Sequence, residues 1–429
     1  MNIQKTAADL LDFISQSTSS FHTVTASETI LKKAGFSELL PTKEWHLEKK
    51  HAYYTKIYDS SIIAFTINDK PLHNLRIAAA HTDFPCLRIK PAATIEKNKY
   101  ISLNIEIYGG MILNTWLDRP LSIAGKVVLK SNNVFSPKVN LVDFRKPLLT
   151  IPNLAIHMNR KINEGISLNP QKDMLPLFSM TDSSKETNDL IIELLATETA
   201  CSPEDILSYE LTVYPAETGC LLGYNEEFIS SHRLDNITSV KACLDGLLTG
   251  SRKQGINIIA LFDNEEVGSR TKQGAGSFIL PHIIERIYDS LGFSHADYLT
   301  AIAGGFLLSA DVAHALHPNV PEKTDPTNLP LLNHGTAIKI AASQSYANDA
   351  EAIGIIKSLC QKHDINYQLF VNRADTKGGS TLGSILSANM PMRSLDIGIP
   401  ILAMHSARET MGINDQVSIT KLIKHFFSE

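Results

Sequence analysis

The stretch Ile256–Gly276, INIIALFDNEEVGSRTKQGAG, begins as an apolar run and ends as a polar, glycine-rich loop. INIIALF has the texture of a strand buried on both faces. Directly after it, Glu265 and Glu266 stand side by side. Adjacent carboxylates repel, and a strand end gives them little shelter. In open α/β sheets, ligands collect beyond the carboxyl ends of the strands. The pair therefore raises the question of what else in the chain meets it there.

Working outward, further apolar runs read as strands: NLRIAAAHTDFP on one side, and AIKIAA, YQLFVN and DIGIPILAM on the other. Helical patterns lie between them, in ITSVKACLDGLL and DAEAIGIIKSLCQKH, and two helices are predicted near 4–16 and 24–34. From about 92 to 230 the texture changes. Short alternating stretches such as YISLNIEIYGG and SIAGKVVLK are separated by Gly, Asn and Pro, with one helix predicted in TNDLIIELLATET. The expected architecture is an α/β domain made of residues 1–91 and 232–429, with a mainly parallel sheet covered by helices on both faces, interrupted by a β-rich insert at 92–231.

Composition narrows the function classes. With 429 residues, two domains is the prior. A formal net charge of −5 and no basic block argue against a nucleic-acid or anionic-membrane surface. The N-terminal segment lacks signal-peptide features, and no apolar run reaches the roughly 18 residues needed to span a bilayer. Five scattered cysteines without a C-x-x-C pair read as reduced, buried thiols in a cytoplasmic protein.

Several predicted strands end in metal-binding residue types. RIAAA leads into His81 and Asp83, IIALF into Asp263, Glu265 and Glu266, AGGFLLSA into Asp311, and IPILAM into His405. Asp235 stands just before a helix, where it would also serve as an N-cap. Each has an ordinary structural reading when taken alone. Taken together they offer imidazole and carboxylate ligands without thiolate, which suits catalytic zinc, with manganese or cobalt as alternatives. Two ions would need a bridging carboxylate and water. If the segment is extended, neighbouring side chains diverge, so Glu266 can face a metal while Glu265 faces that water. Nearby cations would let both carboxylates coexist. Asp83 would accept from His81 or orient a substrate amine. His314 and His317 read as structural or supporting.

The motifs AAHTDFP, YGGMILNTWLDRPLSIAG, IPNLAIHMNRKINEG, RLDN, DNEEVGSRTKQGAG, SADVAHALHPN and MHSARETMG resemble, in order, those of the aspartyl aminopeptidase family of dinuclear zinc exopeptidases. The resemblance implies a zinc-exopeptidase-like α/β domain with an inserted β-rich dimerisation domain, and a homo-oligomer that is a tetrahedral dodecamer built from dimers. It implies His81, Asp235 (bridging), Glu266, Asp311 and His405 as ligands of two zinc ions. Glu265 would be the general base acting on a metal-bridging water, and Asp83 the catalytic auxiliary. His157 would reach a neighbouring subunit's site, and YGGMILNTWLDRPLS would lie near the inter-subunit contact. Two positions depart from the family pattern: Pro120 stands where an acid is common, and Ser345 where Arg is common.

The expected activity is release of N-terminal residues from peptides. Lys339 interrupts the apolar strand TAIKIAA, and a buried ammonium needs a partner. Its bland reading is a lysine lying along the strand face. Its functional reading is a cation at a pocket floor. The resemblance associates it and Tyr346 with selecting Asp or Glu. The alternatives are a family member preferring neutral residues such as Leu, a related carboxypeptidase or N-deacylase, and a noncatalytic assembly protein that keeps the fold.

Overall fold

The computed structural model describes residues 2–181 and 189–429. The helix expected in TNDLIIELLATET falls partly outside them. Within them it runs Leu190–Thr199, opened by the Asp189 side chain accepting from the Ile191 amide. The chain forms two compact units. The first comprises Met1–Asp83, Gly219–Met404 and Glu409–Glu429, and the second Phe84–Thr218 with His405–Arg408.

The first unit is built on a nine-stranded sheet. Its order is Ser37–Glu38, Ala52–Ile57, Ser61–Ile67, Gln254–Phe262, Lys70–His81, Phe306–Ala310, Arg393–Gly398, Thr336–Ile340 and Tyr367–Val371. The middle strands are parallel, as their continuous apolar runs predict. The flanks are not uniformly so. Ser61–Ile67 runs antiparallel to Gln254–Phe262, and Thr336–Ile340 antiparallel to Arg393–Gly398. An apolar run records burial but not direction, and Ser61–Ile67 belongs to a hairpin with Ala52–Ile57, turned at Tyr58 and Asp59 with φ 50° and 62°.

Strand alternation sends side chains to two helical layers. Ile63, Phe65, Ile77, Ala79, Ile258 and Ala260 share a core with Leu280, Ile283, Ile284 and Ile287 of helix Ile279–Ser290. The intervening positions face the other layer, where Asn257 Nδ2 donates to the Phe427 carbonyl at 3.0 Å, just past helix Ile413–Phe426. That helix lies close against Leu234–Thr249 at Gly246, where a Cβ would stand 2.4 Å from Ile423 Cγ2 and 3.2 Å from its carbonyl carbon. Gly246→Ala should therefore cost about 1–3 kcal/mol through overpacking and lower the apparent melting temperature. Unchanged melting would show that the two helices can part freely.

Two boundary expectations are corrected. The second helix runs Ser20–Lys33, not from 24, because Ser19 caps it through its side chain at the His22 amide. DIGIPILAM is not one strand. Arg393–Gly398 lies in the large sheet, whereas Pro400–Leu402 joins a separate five-stranded sheet of the same unit, since Pro400 has no amide to continue the ladder.

The second unit holds a six-stranded antiparallel sheet, in the order Lys138–Asp143, Leu121–Leu129, Ile206–Pro215, Cys86–Lys97, Tyr100–Tyr108 and Leu177–Met180. It begins before residue 92 because Cys86–Lys97 is paired along its length with Tyr100–Tyr108. It ends before 231 because Phe228–Ser231 pairs with Glu409–Gly412 of the first unit. Within the stretch expected near an inter-subunit contact, Trp116 is buried, at 3% exposure, and Ile112 is exposed.

Candidate metal centre

The parallel strands of the first unit end at a common level. Phe262 pairs with His81, and Ser309 pairs with Ala79. The residues that follow these ends are the acidic ones. His81 and Asp83 are buried, and so is Asp235.

His81 organises the cluster. Its Nδ1 donates to the Asp83 carbonyl oxygen at 3.0 Å, so in the neutral ring, the form that binds a metal, the lone pair is on Nε2. Nε2 lies 3.4 Å from Asp235 Oδ1 and 3.5 Å from Asp311 Oδ1. Two tetrahedral ligands at about 2.0–2.1 Å from a zinc ion stand about 3.3–3.4 Å apart. One donor atom each from His81, Asp235 and Glu266 lies within 4.8 Å of the others. The spacing and the oxygen–imidazole donor set fit zinc.

Asp83 joins this histidine to the glutamates. Its Oδ1 accepts from the Glu265 amide and its Oδ2 from the Glu266 amide, both at 3.2 Å. The two glutamates therefore do not lie on an extended segment, as expected from sequence, but on a 3₁₀ turn, Glu265–Val267. Asn264 enters that turn at φ 63° and Gly268 leaves it at φ 95°.

Asp235 lies at the entry of the helix, as its position suggests. The backbone is kinked where Leu234–Thr249 begins: Asp235, with φ −80° and ψ 106°, and Asn236, with φ −125° and ψ 29°, are not helical, and the regular helix starts after them. The Asp235–Asn236 peptide is cis. The Asp235 amide donates to Glu409 Oε2 at 3.1 Å, and Asn236 Nδ2 to the Ala310 carbonyl at 2.9 Å. Asn236 and Glu409 thus hold the Asp235 backbone. Both lie inside the quoted motifs RLDN and MHSARETMG, but nothing in their residue types marks them for that work. Asp263 is a turn residue whose Oδ1 accepts from the Asn264 amide.

Electrostatics identify the centre as a place short of positive charge. Burial pushes Glu265 up to about 8; the His81 charge opposes this, and Asp311, Asp83 and Asp235 add to it. Glu266 is raised well above the usual range by burial first and then by Asp235. Burial alone would depress His81, but hydrogen bonds to Asp235, Asp311 and Asp83 outweigh it and raise its pKa well above the ordinary value. Burial would likewise raise Asp311, yet the Lys339 charge and His81 hold it far below the ordinary range. Bound cations would bring both glutamates back to their ionised form.

Lys339 is buried, and its ammonium already has a partner, with Nζ 3.3 Å from Asp311 Oδ2. It is therefore not a cation left without a counter-charge. It also lies 5.0 Å from the centre of the Tyr346 ring, whose hydroxyl accepts from Asn372 Nδ2 at 3.4 Å. His314 is exposed beside Phe370, and the His317 Nδ1 accepts from the Asn319 amide, so each has a local role. His405 and His157 belong to the second unit. There, His405 has φ 67°, and its Nδ1 donates to the Gly110 carbonyl at 3.0 Å. His157 is exposed on a turn closed by the Met158 amide to the Ala155 carbonyl.

Comparison with known proteins gives a consistent picture. Residues 13–427 match the model of the aminopeptidase I zinc metalloprotease family, M18. A probable M18 family aminopeptidase 2 of Clostridium novyi is 47% identical over 427 residues, covering 99% of each chain. The fold is similar to that in the cryo-EM structure of the Ape4 and Nbr1 complex, with TM-score 0.95 and 35% identity over 99% of this chain and 86% of that one. It is also similar to the fold of the S. cerevesiae mApe1 dodecamer, with TM-score 0.85 and 23% identity over 98% and 96% of the two chains.

Proposed function

This chain belongs to the M18 family of zinc aminopeptidases, and on that premise we propose that it is a two-metal enzyme releasing acidic residues from the N-termini of peptides. His81, Asp235, Glu266, Asp311 and His405 would hold the ions, with Asp235 shared between them. The His405 assignment rests on the sequence resemblance. Zinc held by such a set supplies Lewis acidity toward the scissile carbonyl and lowers the pKa of water to about 7.

The remaining steps fall to the protein. The Glu265 carboxylate takes a proton from the attacking water and returns it to the leaving amine. Asp83 positions this base by accepting the Glu265 amide, and the same residue's carbonyl fixes the His81 ring. The observation that carries the reading is this single buried linkage, in which one aspartate ties the histidine to both glutamates. The test is metal content together with hydrolysis of aminoacyl substrates bearing free and blocked N-termini. Two zinc ions per chain and cleavage only of free N-termini are expected. One ion per chain would reject the two-metal assignment.

Acidic selectivity rests on Lys339. Its ammonium is kept charged by Asp311, first against burial, and the face toward Tyr346 is where a substrate carboxylate would lie. Lys339→Met should lower the ratio of kcat/KM for Asp- and Glu- over Leu-substrates by about 10-fold or more, the scale of a charge-assisted bond. The neutral-residue reading remains second, and the Lys339–Asp311 ion pair together with Ser345 favours it. A wild-type enzyme faster on Leu- than on Asp- or Glu-peptides would establish it.

The proposed assembly is a homo-oligomer, a tetrahedral dodecamer built from dimers through the β-rich unit. Exposed Leu154, Ile156 and Met158 surrounding His157 support a contact there, because an apolar cluster on a surface loop suits burial by another copy. His157 would complete a neighbour's site. Sedimentation should give a large particle, and a fully active monomer would refute the assembly. No described helix is long and apolar enough to cross a membrane. A cytoplasmic location is proposed from the five cysteines, all free thiols; Cys86, Cys243 and Cys360 are buried as expected, whereas Cys201 is half-buried and Cys220 exposed.

A further inference from the structure

The strand Arg393–Gly398 carries a carboxylate that the mechanism above leaves unused. Asp396 is wholly buried. Ile338 pairs with Ile397 and Ala337 with Gly398, so the antiparallel register places Asp396 level with Lys339. Residues level with each other on neighbouring strands share one face of the sheet, so the carboxylate is a close neighbour of Lys339. It also grips the segment just past Tyr346. The Asp396 amide donates to the Ala347 carbonyl at 2.9 Å, and the Ala347 amide donates back to Asp396 Oδ2.

Room for this carboxylate is made by Gly383, in the first turn of helix Leu382–Asn389. A Cβ there would stand 2.3 Å from Asp396 Oδ2 and 2.6 Å from Oδ1. The amino end of a helix favours negative charge. Without these partners an ionised carboxylate at this depth would be strongly unfavourable. An apolar side chain would fill the strand position more easily. What the carboxylate adds is a fixed acceptor one residue after Tyr346 and a second anionic neighbour for Lys339.

We propose that Asp396 is a positioning residue for specificity. It fixes Tyr346 and Lys339 in the arrangement that selects the substrate's first side chain. The proposal rests on the reading of Lys339 and Tyr346 as the selecting pair.

The test compares Asp396→Asn, Asp396→Leu and Gly383→Ala with wild type in the zinc-loaded assembly. The probes are Asp-, Glu- and Leu-aminoacyl substrates, with zinc content measured in parallel. Asn keeps an acceptor oxygen for Ala347 and removes the charge, Leu removes both, and Gly383→Ala pushes the carboxylate away without altering it. Asp396→Asn should raise KM for the preferred side-chain class by a few-fold, with zinc content and kcat within about 2-fold of wild type. Gly383→Ala and Asp396→Leu should raise it about 10-fold, the scale of a lost buried hydrogen bond. The ranking of side chains should flatten in all three.

Loss of kcat equally on all substrates, or an unchanged ranking in folded variants, overturns the proposal. If Asp396→Leu does not fold, the other two variants decide it. A wild type that prefers Leu refutes acidic selectivity, but Asp396 is still judged by whether its variants change the ranking through KM.

Discussion

Glu265→Gln is expected to keep zinc near the wild-type level and to lose turnover by about 10²–10⁴-fold, the range for removing a general base. Glutamine preserves the size of the side chain and leaves the Glu265 amide on Asp83 Oδ1, but it cannot take a proton. Glu266→Gln should do the reverse in part. Its carboxylate is within reach of the same centre as His81 and Asp235, so exchanging it for a neutral amide removes one of the charges that would hold the ion. Zinc content should fall, and activity should recover as zinc is raised. Zinc per chain and kcat measured on both variants separate the roles. Equal metal loss in the two would reject the division, because neighbours on one 3₁₀ turn would then be acting as one ligand pair.

Much of this arrangement is legible in the sequence, for physical reasons. INIIALF reads as a buried strand, and charged residues directly after such a strand land at the carboxyl end of the sheet. The same logic finds His81 and Asp311, which follow RIAAA and FLLSA. Strand direction is hidden, because burial on both faces looks alike in parallel and antiparallel neighbours, as Ser61–Ile67 shows. The limits of the second unit are hidden too, since Cys86–Lys97 reads like any other strand until its pairing partner is known.

Side-chain function is legible only where residue type and position agree. Asp235 looks like a helix cap because aspartate is a good one, and its non-helical φ −80° and ψ 106° suit that position, so residue type and backbone alone do not single it out as a ligand. The roles of Asn236 and Glu409 depend on contacts with residues 74 and 174 positions away. Lys339 is conspicuous as a charge in an apolar strand, yet its partner Asp311 comes from the other side of Arg393–Gly398 in the sheet order. Asp396 lies in a run that reads simply as strand.

The electrostatics of the cluster predict how metal and pH should combine. In chelated protein, Glu265 has a folded-state pKa of about 8 against an ordinary value of 4.5, and Glu266 is raised as well. Between those values the folded chain holds protons that the unfolded chain has released, so stability must fall as pH rises through this window. His81 acts in the same direction. Its raised pKa gives stability that is complete below 6.5 and is lost as pH climbs through the folded value. Asp311 is depressed, so its contribution is lost only at pH below its ordinary value of 3.8, outside the window. Zinc reverses the trend, because deprotonated ligands bind it more tightly. Free zinc at 1,000 times Kd adds about 4 kcal/mol to stability. The melting temperature with chelator should therefore decline from pH 5.5 to 8, and the gap between zinc-loaded and chelated protein should widen over the same range. Glu265→Gln should flatten part of the decline in the chelated protein, since it removes one of the groups whose ionisation is resisted. A gap that stays constant or narrows with pH would mean that these carboxylates are not the groups that zinc relieves, and the metal would have to be placed elsewhere in the chain.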